Sequence, residues 1–338
     1  MPEISPSILS KPLEVGGVTL RNRAFLAPMS GVTDVPFRKL CWEFGAGMVV
    51  SEMVASQAVV EGEAEMQLKM QAADIPLHIV QIAGREAHWM ALAAKMAEAN
   101  GAHIVDINMG CPAKRVTTGY SGSALMRDLD HALELIEAVV EAVEVPVTLK
   151  MRLGWDHQSV NAPELAKRAE DAGVQMVTVH GRTRCQFYKG IADWETIRMV
   201  RETITLPLVV NGDVVDQISA ERALEQSGAD AIMVGRGAYG APWKPGQLAG
   251  NKSADVKQPS AEFVKRHHEA MLSFYGVSSG TRQARKHLGW YMDSLDRSEI
   301  DGNMVRKMMT SFDVREIYQI IDEIFGYHTS AFPTEAAA

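Results

Sequence analysis

The chain has only three cysteines in 338 residues, Cys41, Cys111 and Cys185. They are too few and too widely spaced for a disulfide framework, and they lack zinc-finger spacing. A reducing compartment follows, and a cytoplasmic location is expected. No apolar run reaches the ~18 residues that span a bilayer. Residues 1–7 lack the basic and apolar regions of a signal peptide. A basic surplus is also missing, since the formal net charge is −8. No membrane or DNA partner is expected, although a local basic face remains compatible with nucleic-acid binding. There is no internal repeat beyond an alternation of strand-like and helix-like segments.

What is present fits a globular protein of one large domain and a smaller one, with 46% hydrophobic residues. Short apolar runs at 24–28, 47–51, 77–81, 103–108, 147–151, 176–180, 208–211 and 231–235 alternate with amphipathic segments. Eight such units predict an α/β fold, a (β/α)₈ TIM barrel over 12–250. Among the intervening helices are 87–100, closed by Gly101, and 219–227, capped by Asp216 and ended by Gly228. Gly16-Gly17 within 13–20 signals a tight hairpin at the barrel floor. The interval after the fourth strand is the widest, and its turn-rich stretch 117–123 reads as a mobile loop over the mouth. Residues 246–259 read as a linker. Helices at 260–275, 282–295, 302–312 and 314–325 predict a C-terminal helical bundle over 257–330, and 333–338 reads as disordered.

The run NMGCPAK at 108–114 carries most information. It offers an amide, a thiol and the Lys114 ammonium at the exit of one strand, where a parallel α/β protein keeps its chemistry. A free thiol of pKa ≈ 8.5 is mostly protonated at neutral pH, so Cys111 can serve as a general acid or a nucleophile. Cys41 and Cys185 have no comparable context. Polar residues recur at other strand ends, namely Gln81, Asn108, Lys150, His180 and Asn211, and a barrel converges them on one pocket. A buried lysine needs an anionic partner, so Lys150 points to a ligand that carries or develops negative charge. Asn211-Gly212-Asp213 and Gly235-Arg236-Gly237 follow strands seven and eight, the usual phosphate-binding loops of such barrels. Gly235 also opens a G-x-G-x-x-G match, but it closes a series of βα units instead of opening one, so a nicotinamide-binding fold is rejected. His267-His268-Glu269 lacks the spacing of a metal helix, and no metal is expected. Two basic-aromatic clusters suit phosphate contacts and base stacking. One holds Arg182, Arg184, Phe187, Tyr188 and Lys189. The other holds Arg282, Arg285 and Lys286 near Trp290.

These runs resemble a known family. APMSGVTD at 27–34, NMGCPAK at 108–114, KMR at 150–152, HGRT at 180–183, NGD at 211–213 and GR at 235–236 are similar, in order, to the motifs of tRNA-dihydrouridine synthases. RKHLGW at 285–290 resembles their bacterial DusB-like, nitrogen-regulation-protein-like branch. The resemblance spans about residues 12–330. It implies FMN-dependent reduction of the 5,6 double bond of uridine in tRNA, with NADPH as the transient reductant. It also implies that FMN lies against Pro28, Met29, Gln81, Lys150 and His180, with its phosphate at Asn211–Asp213 and Gly235–Arg236. Asn108, Arg152 and His180 would line the space between flavin and uracil, Lys114 would contact the substrate, and Arg182, Arg184, Arg282, Arg285 and Lys286 the tRNA. Hydride would pass from reduced FMN to C6 and a proton from Cys111 to C5. A small-molecule flavin oxidoreductase acting on a pyrimidine or an enone is one alternative. A non-catalytic tRNA-binding flavoprotein is the other.

Overall fold

The computed structural model describes residues 8–326 apart from Arg297 and Glu299. The segments 1–7 and 333–338 lie outside the described residues. Eight strand positions build the barrel. They are β1 (Ala24–Leu26), β2 in two halves (Met48–Val49 and Val54–Ala55), β3 (Ile79–Ala83), β4 (Ile104–Met109), β5 (Val147–Arg152), β6 (Met176–His180), β7 (Leu208–Asn211) and β8 (Ala231–Val234). Every neighbouring pair is parallel, and β8 pairs with β1. The sheet begins with the first half of β2 and ends with the second. The Ser51 N–H donates to the Ile79 carbonyl at 3.1 Å and bridges the break, so the ring closes within one strand.

Outer helices follow the strands: α1 (Val35–Glu43), α2 (Ala64–Met70), α3 (Ala87–Ala99), α4 (Leu129–Val140), α5 (Ala162–Asp171), α6 (Trp194–Arg201), α7 (Gln217–Ser227) and α8 (Lys244–Leu248). Aspartates start four of them. Asp34, Asp128, Asp193 and Asp216 each accept a backbone N–H from the first turn, satisfying a donor that the helix leaves unpaired. Gly228 ends α7 in the left-handed conformation.

The side-chain period of two sorts the core into layers. One parity of each strand packs outward against the helices. The other parity points inward and changes character along the strand. Near the floor it is apolar. Phe25, Met48, Ile79, Ile104, Met176 and Val209 cluster there with Leu13, Val15 and Leu20 of the hairpin Leu13–Val15/Val18–Leu20, which plugs the barrel. Toward the mouth the same parity becomes polar: Ile104, Asp106, Asn108 on β4, and Met176, Thr178, His180 on β6.

The C-terminal helices are α9 (Ala261–Tyr275), α10 (Val277–Met292), α11 (Gly302–Thr310) and α12 (Val314–Phe325). Their apolar faces share a second core with Leu40 of α1 and with Phe44, which caps that helix, so the helical layer is built onto the barrel wall. The stretch expected as a linker is in part folded, into the end of α8 and a 3₁₀ turn at Lys252–Ala254. Gly246 permits this, because a Cβ there would run into the Phe44 carbonyl. Helix α10 starts five residues earlier than its apolar pattern indicates. Gly276 turns the chain at φ +78°, and Gly280 lets α10 approach the Met271 carbonyl of α9.

Candidate active site

A cavity of about 980 Å³ opens at the C-terminal mouth of the barrel. Its wall is the polar end of the inward parity. Asp106 anchors one side, accepting from Gln81 Nε2 at 2.7 Å and from Thr148 Oγ1 at 2.6 Å. The Gln81 carbonyl oxygen accepts from Asn108 Nδ2 at 2.7 Å. Asn108 Oδ1 in turn accepts the backbone N–H groups of Gly110 (3.1 Å) and Cys111 (2.9 Å). The side chain predicted to meet substrate thus holds the cysteine loop onto β4. Burial pushes the Asp106 carboxyl up to about 6, against hydrogen bonds from Thr148 and Gln81 that lower it.

On the other side, Asn211 Oδ1 accepts from Lys150 Nζ at 3.0 Å and meets His180 Nδ1 at 2.9 Å, while Asn211 Nδ2 donates to the Met233 carbonyl at 2.7 Å. These partners require His180 Nδ1 to carry the proton, leaving Nε2 to accept from Arg182 Nη1 at 3.2 Å. Burial, then the nearby Arg152 and Lys150 charges, holds His180 well below its ordinary value, so the ring is neutral. Burial lowers Lys150 to about 8, with Arg152 adding to the shift and Asp106 opposing it. The ammonium remains mainly charged at neutral pH.

Cys111 is half-buried on the cavity wall. Burial raises its pKa, partly opposed by the Ala113 N–H and by the Arg152 and Lys150 charges. The thiol form is favoured, and cations stand by for a thiolate. Arg152 is 2% exposed. It donates to the Gly110 carbonyl at 2.8 Å, to the Thr183 carbonyl at 2.9 Å and to the Phe187 carbonyl at 2.8 Å. It therefore pins the loop after β4 to the loop after β6. The turn-rich 117–123 stretch is not featureless: a helical turn at Lys114–Thr117 and a 3₁₀ segment at Gly122–Arg127 bracket it.

All the residues expected around the cofactor line this cavity. Pro28 and Met29 come from the loop after β1, Gln81 from β3, Lys150 and His180 from β5 and β6, and Asn211, Gly212, Asp213, Gly235 and Arg236 from the last two units. Asn108 and Arg152 line it as well. Lys114 and Arg282 are solvent-exposed and lie off the wall. Arg184 bonds Thr117 Oγ1 at 3.3 Å and lies over Trp155. Arg285 donates to the Thr310 carbonyl at 3.0 Å and stacks on Phe312. Lys286 turns toward Gly31.

Arg182 is a correction. It is 2% exposed and donates to Asp213 Oδ2 at 2.6 Å and to the Lys189 and Gly190 carbonyls. A guanidinium so enclosed braces the wall and is not a surface contact for RNA. Sequence reasoning missed Asp106, although it shares the inward parity of Asn108 two residues on. It also missed Tyr239, Trp89 and Arg115 on the cavity rim, which carry no strand-end signal, whereas Tyr188 of the first basic-aromatic cluster lines the cavity. Among the described residues, no three His, Cys, Asp or Glu side chains gather as a metal site, and no helix is long and apolar enough to cross a membrane.

Comparison with known proteins places the chain in a family. The chain is 57% identical over 300 residues to a probable tRNA-dihydrouridine synthase of Rhizobium leguminosarum bv. phaseoli, covering 89% of this chain and 94% of that protein. It is 44% identical over 291 residues to the tRNA-dihydrouridine synthase B of Proteus vulgaris, covering 83% and 89%. Among solved structures, a histamine dehydrogenase from a Rhizobium species superposes with a TM-score of 0.56 at 16% identity. That match covers 78% of this chain and 51% of the dehydrogenase, and it shows a shared barrel fold. The family Dihydrouridine synthase (Dus) matches residues 25–322. A match of that extent, with relatives this similar over most of their length, establishes that the chain belongs to the dihydrouridine synthase family.

Proposed function

We propose that the chain reduces the 5,6 double bond of a uridine in tRNA, with FMN in the barrel mouth and NADPH as reductant. One observation carries the reading: a protonated thiol and a desolvated ammonium line the same cavity. The wall suits FMN. Gly235 leaves open space where a Cβ would meet only Met29 Sδ at 3.8 Å and Ala27 at 3.9 Å, and half-exposed Arg236 stands next to it for a phosphate. The Asp213 carboxylate beside it is engaged by Arg182 and the Ala192 N–H. Lys150, Gln81 and His180 would hold the polar ring edge, and Pro28 and Met29 the ring face. FMN, when reduced and bound, supplies the hydride that adds to C6 of the uracil.

The protein's own groups supply the rest. Cys111 gives the proton to C5, and Arg152 and Lys150 stabilise the thiolate that remains. Asn108 and Arg152 hold the cysteine loop by its backbone, so the thiol is positioned before the base arrives. The base must leave its stack to enter the cavity. Arg282 and Lys114 are exposed cations suited to phosphates of the tRNA.

The test is Cys111→Ala. It should retain FMN, be reduced by NADPH and bind tRNA, yet form dihydrouridine ~10²- to 10⁴-fold more slowly, the usual contribution of a general acid. Cys185→Ala should remain active, because Cys185 is solvent-exposed and off the cavity wall. Wild-type turnover by Cys111→Ala would remove the assignment. A purified protein that reduces free uracil or enones but not tRNA would favour a small-molecule reductase.

A further inference from the structure

The seam between barrel and helical layer holds a set of contacts that the chemistry above does not use. Lys286 and Trp290 are four residues apart on α10 and share a face. Trp290 stacks on Tyr239, with ring centroids 3.9 Å apart and planes at 11°. Its carbonyl lies so close to Gly240 that a Cβ there would collide. Lys286 Nζ lies 3.7 Å from where a Cβ of Gly31 would stand. Tyr239 and Gly240 follow β8, and Gly31 follows β1. These strands are hydrogen-bonded neighbours. One helix face therefore rests on both loops that flank the seam, and both loops line the cavity.

The loop after β1 is tied further. The Gly31 N–H donates to Glu52 Oε1 at 2.5 Å. The Tyr275 hydroxyl of α9 donates to Asp34 Oδ2 at 3.1 Å. Asp34 and Glu52 are 5% and 4% exposed. Two buried carboxylates need nearby cations. Buried Arg38 is one, and it also donates to the Thr33 carbonyl at 3.1 Å. Lys286, whose Nζ donates to Gln283 Oε1 at 2.8 Å, is the other, and its charge acts on both carboxylates at longer range. Thr33 Oγ1 then accepts the Met29 N–H at 2.9 Å. A continuous chain of contacts runs from the helical layer to Met29 in the cavity wall.

We propose that α10 is a clasp on the cofactor mouth, with Lys286 and Trp290 as positioning residues for the loops after β1 and β8. The proposal rests on the flavin reading given above. In it, Lys286 serves the flavin site and not an RNA phosphate.

The experiment uses the full chain stripped of flavin and titrated with FMN, read by fluorescence quenching and by the visible absorption band of the bound flavin. Lys286→Gln and Trp290→Leu should each weaken FMN binding about tenfold and shift the visible band. Lys286→Arg should restore most of the affinity. The salt dependence of tRNA binding should be unchanged in Lys286→Gln. Melting curves confirm folding, and Trp290→Phe supplies a milder reading if Lys286→Gln fails to fold. Wild-type FMN affinity and spectrum in the folded variants would overturn the clasp alone. A reduced salt slope in Lys286→Gln would also overturn it and return the residue to the RNA surface. Failure of the wild-type chain to bind FMN would overturn the flavin reading and the clasp together.

Discussion

At the scale of single residues, the cavity works by keeping groups in particular charge states. Lys150 is held down to about 8 by burial, and it is the cation proposed above to face an anionic ligand. Its charge is present below that value and lost above it. Affinity of the flavin-free chain for FMN should therefore decline as pH rises through about 8, measured by titration at fixed ionic strength. Lys150→Arg should flatten the decline, because a guanidinium stays charged. A decline that persists unchanged in Lys150→Arg would assign it to another group. The strand-end polar residues were legible in the sequence because each closes an apolar run. Asp106 was not, since it reads as an interruption within β4 until the parity of the neighbouring strands is known. Arg182 misled because nothing local shows that its partner is Asp213, 31 positions away.

At the scale of elements, α9 and α10 carry an acid sensitivity. Burial holds His267 at about 3, His268 at about 4 and His287 well below its ordinary value. Their folded pKa values are depressed, so below about 6.5 the unfolded chain takes up protons that the folded chain cannot. The histidines' share of the stability should be fully present above that pH and be lost as pH drops toward 4. Each histidine contributes up to about 1.4 kcal/mol per pH unit within that window. Neither ring nitrogen of His268 has a hydrogen-bond partner among the described residues. His268→Phe should thus be near neutral at pH 7 and should flatten the acid decline, measured by urea unfolding at pH 7 and 5. Gly246→Ala should cost about 1–3 kcal/mol by overpacking, lowering the melting temperature, because α8 can no longer lie on the Phe44 carbonyl. Unchanged melting would place α8 differently. The eight strands and most long helices were legible from their periodicity. The break in β2 was not, because Glu52 leaves the strand to accept the Gly31 N–H, a contact the local pattern cannot show. Helix α8 was missed because five residues are too few for periodicity to register.

At the scale of the whole molecule, a net charge of −8 means that attraction to tRNA must be local. Arg282→Gln and Lys114→Gln should each reduce the salt slope of tRNA binding by roughly 0.7–0.9 for every phosphate no longer neutralised, leaving the flavin spectrum alone. A slope unaffected by both changes would put the RNA on another face. The inward parity of the barrel has a consequence at the level of codons. Deleting one codon within 104–107 would turn Asp106 or Asn108 outward into the helix layer and bring an apolar side chain to the cavity, because a shift of one residue exchanges the two faces of a strand. Neighbouring strands could not compensate, since Asp106 pairs in register with Gln81 on one side and Thr148 on the other. Among homologous genes, gaps should therefore fall in the loops and helix ends, while the strand lengths between them stay fixed.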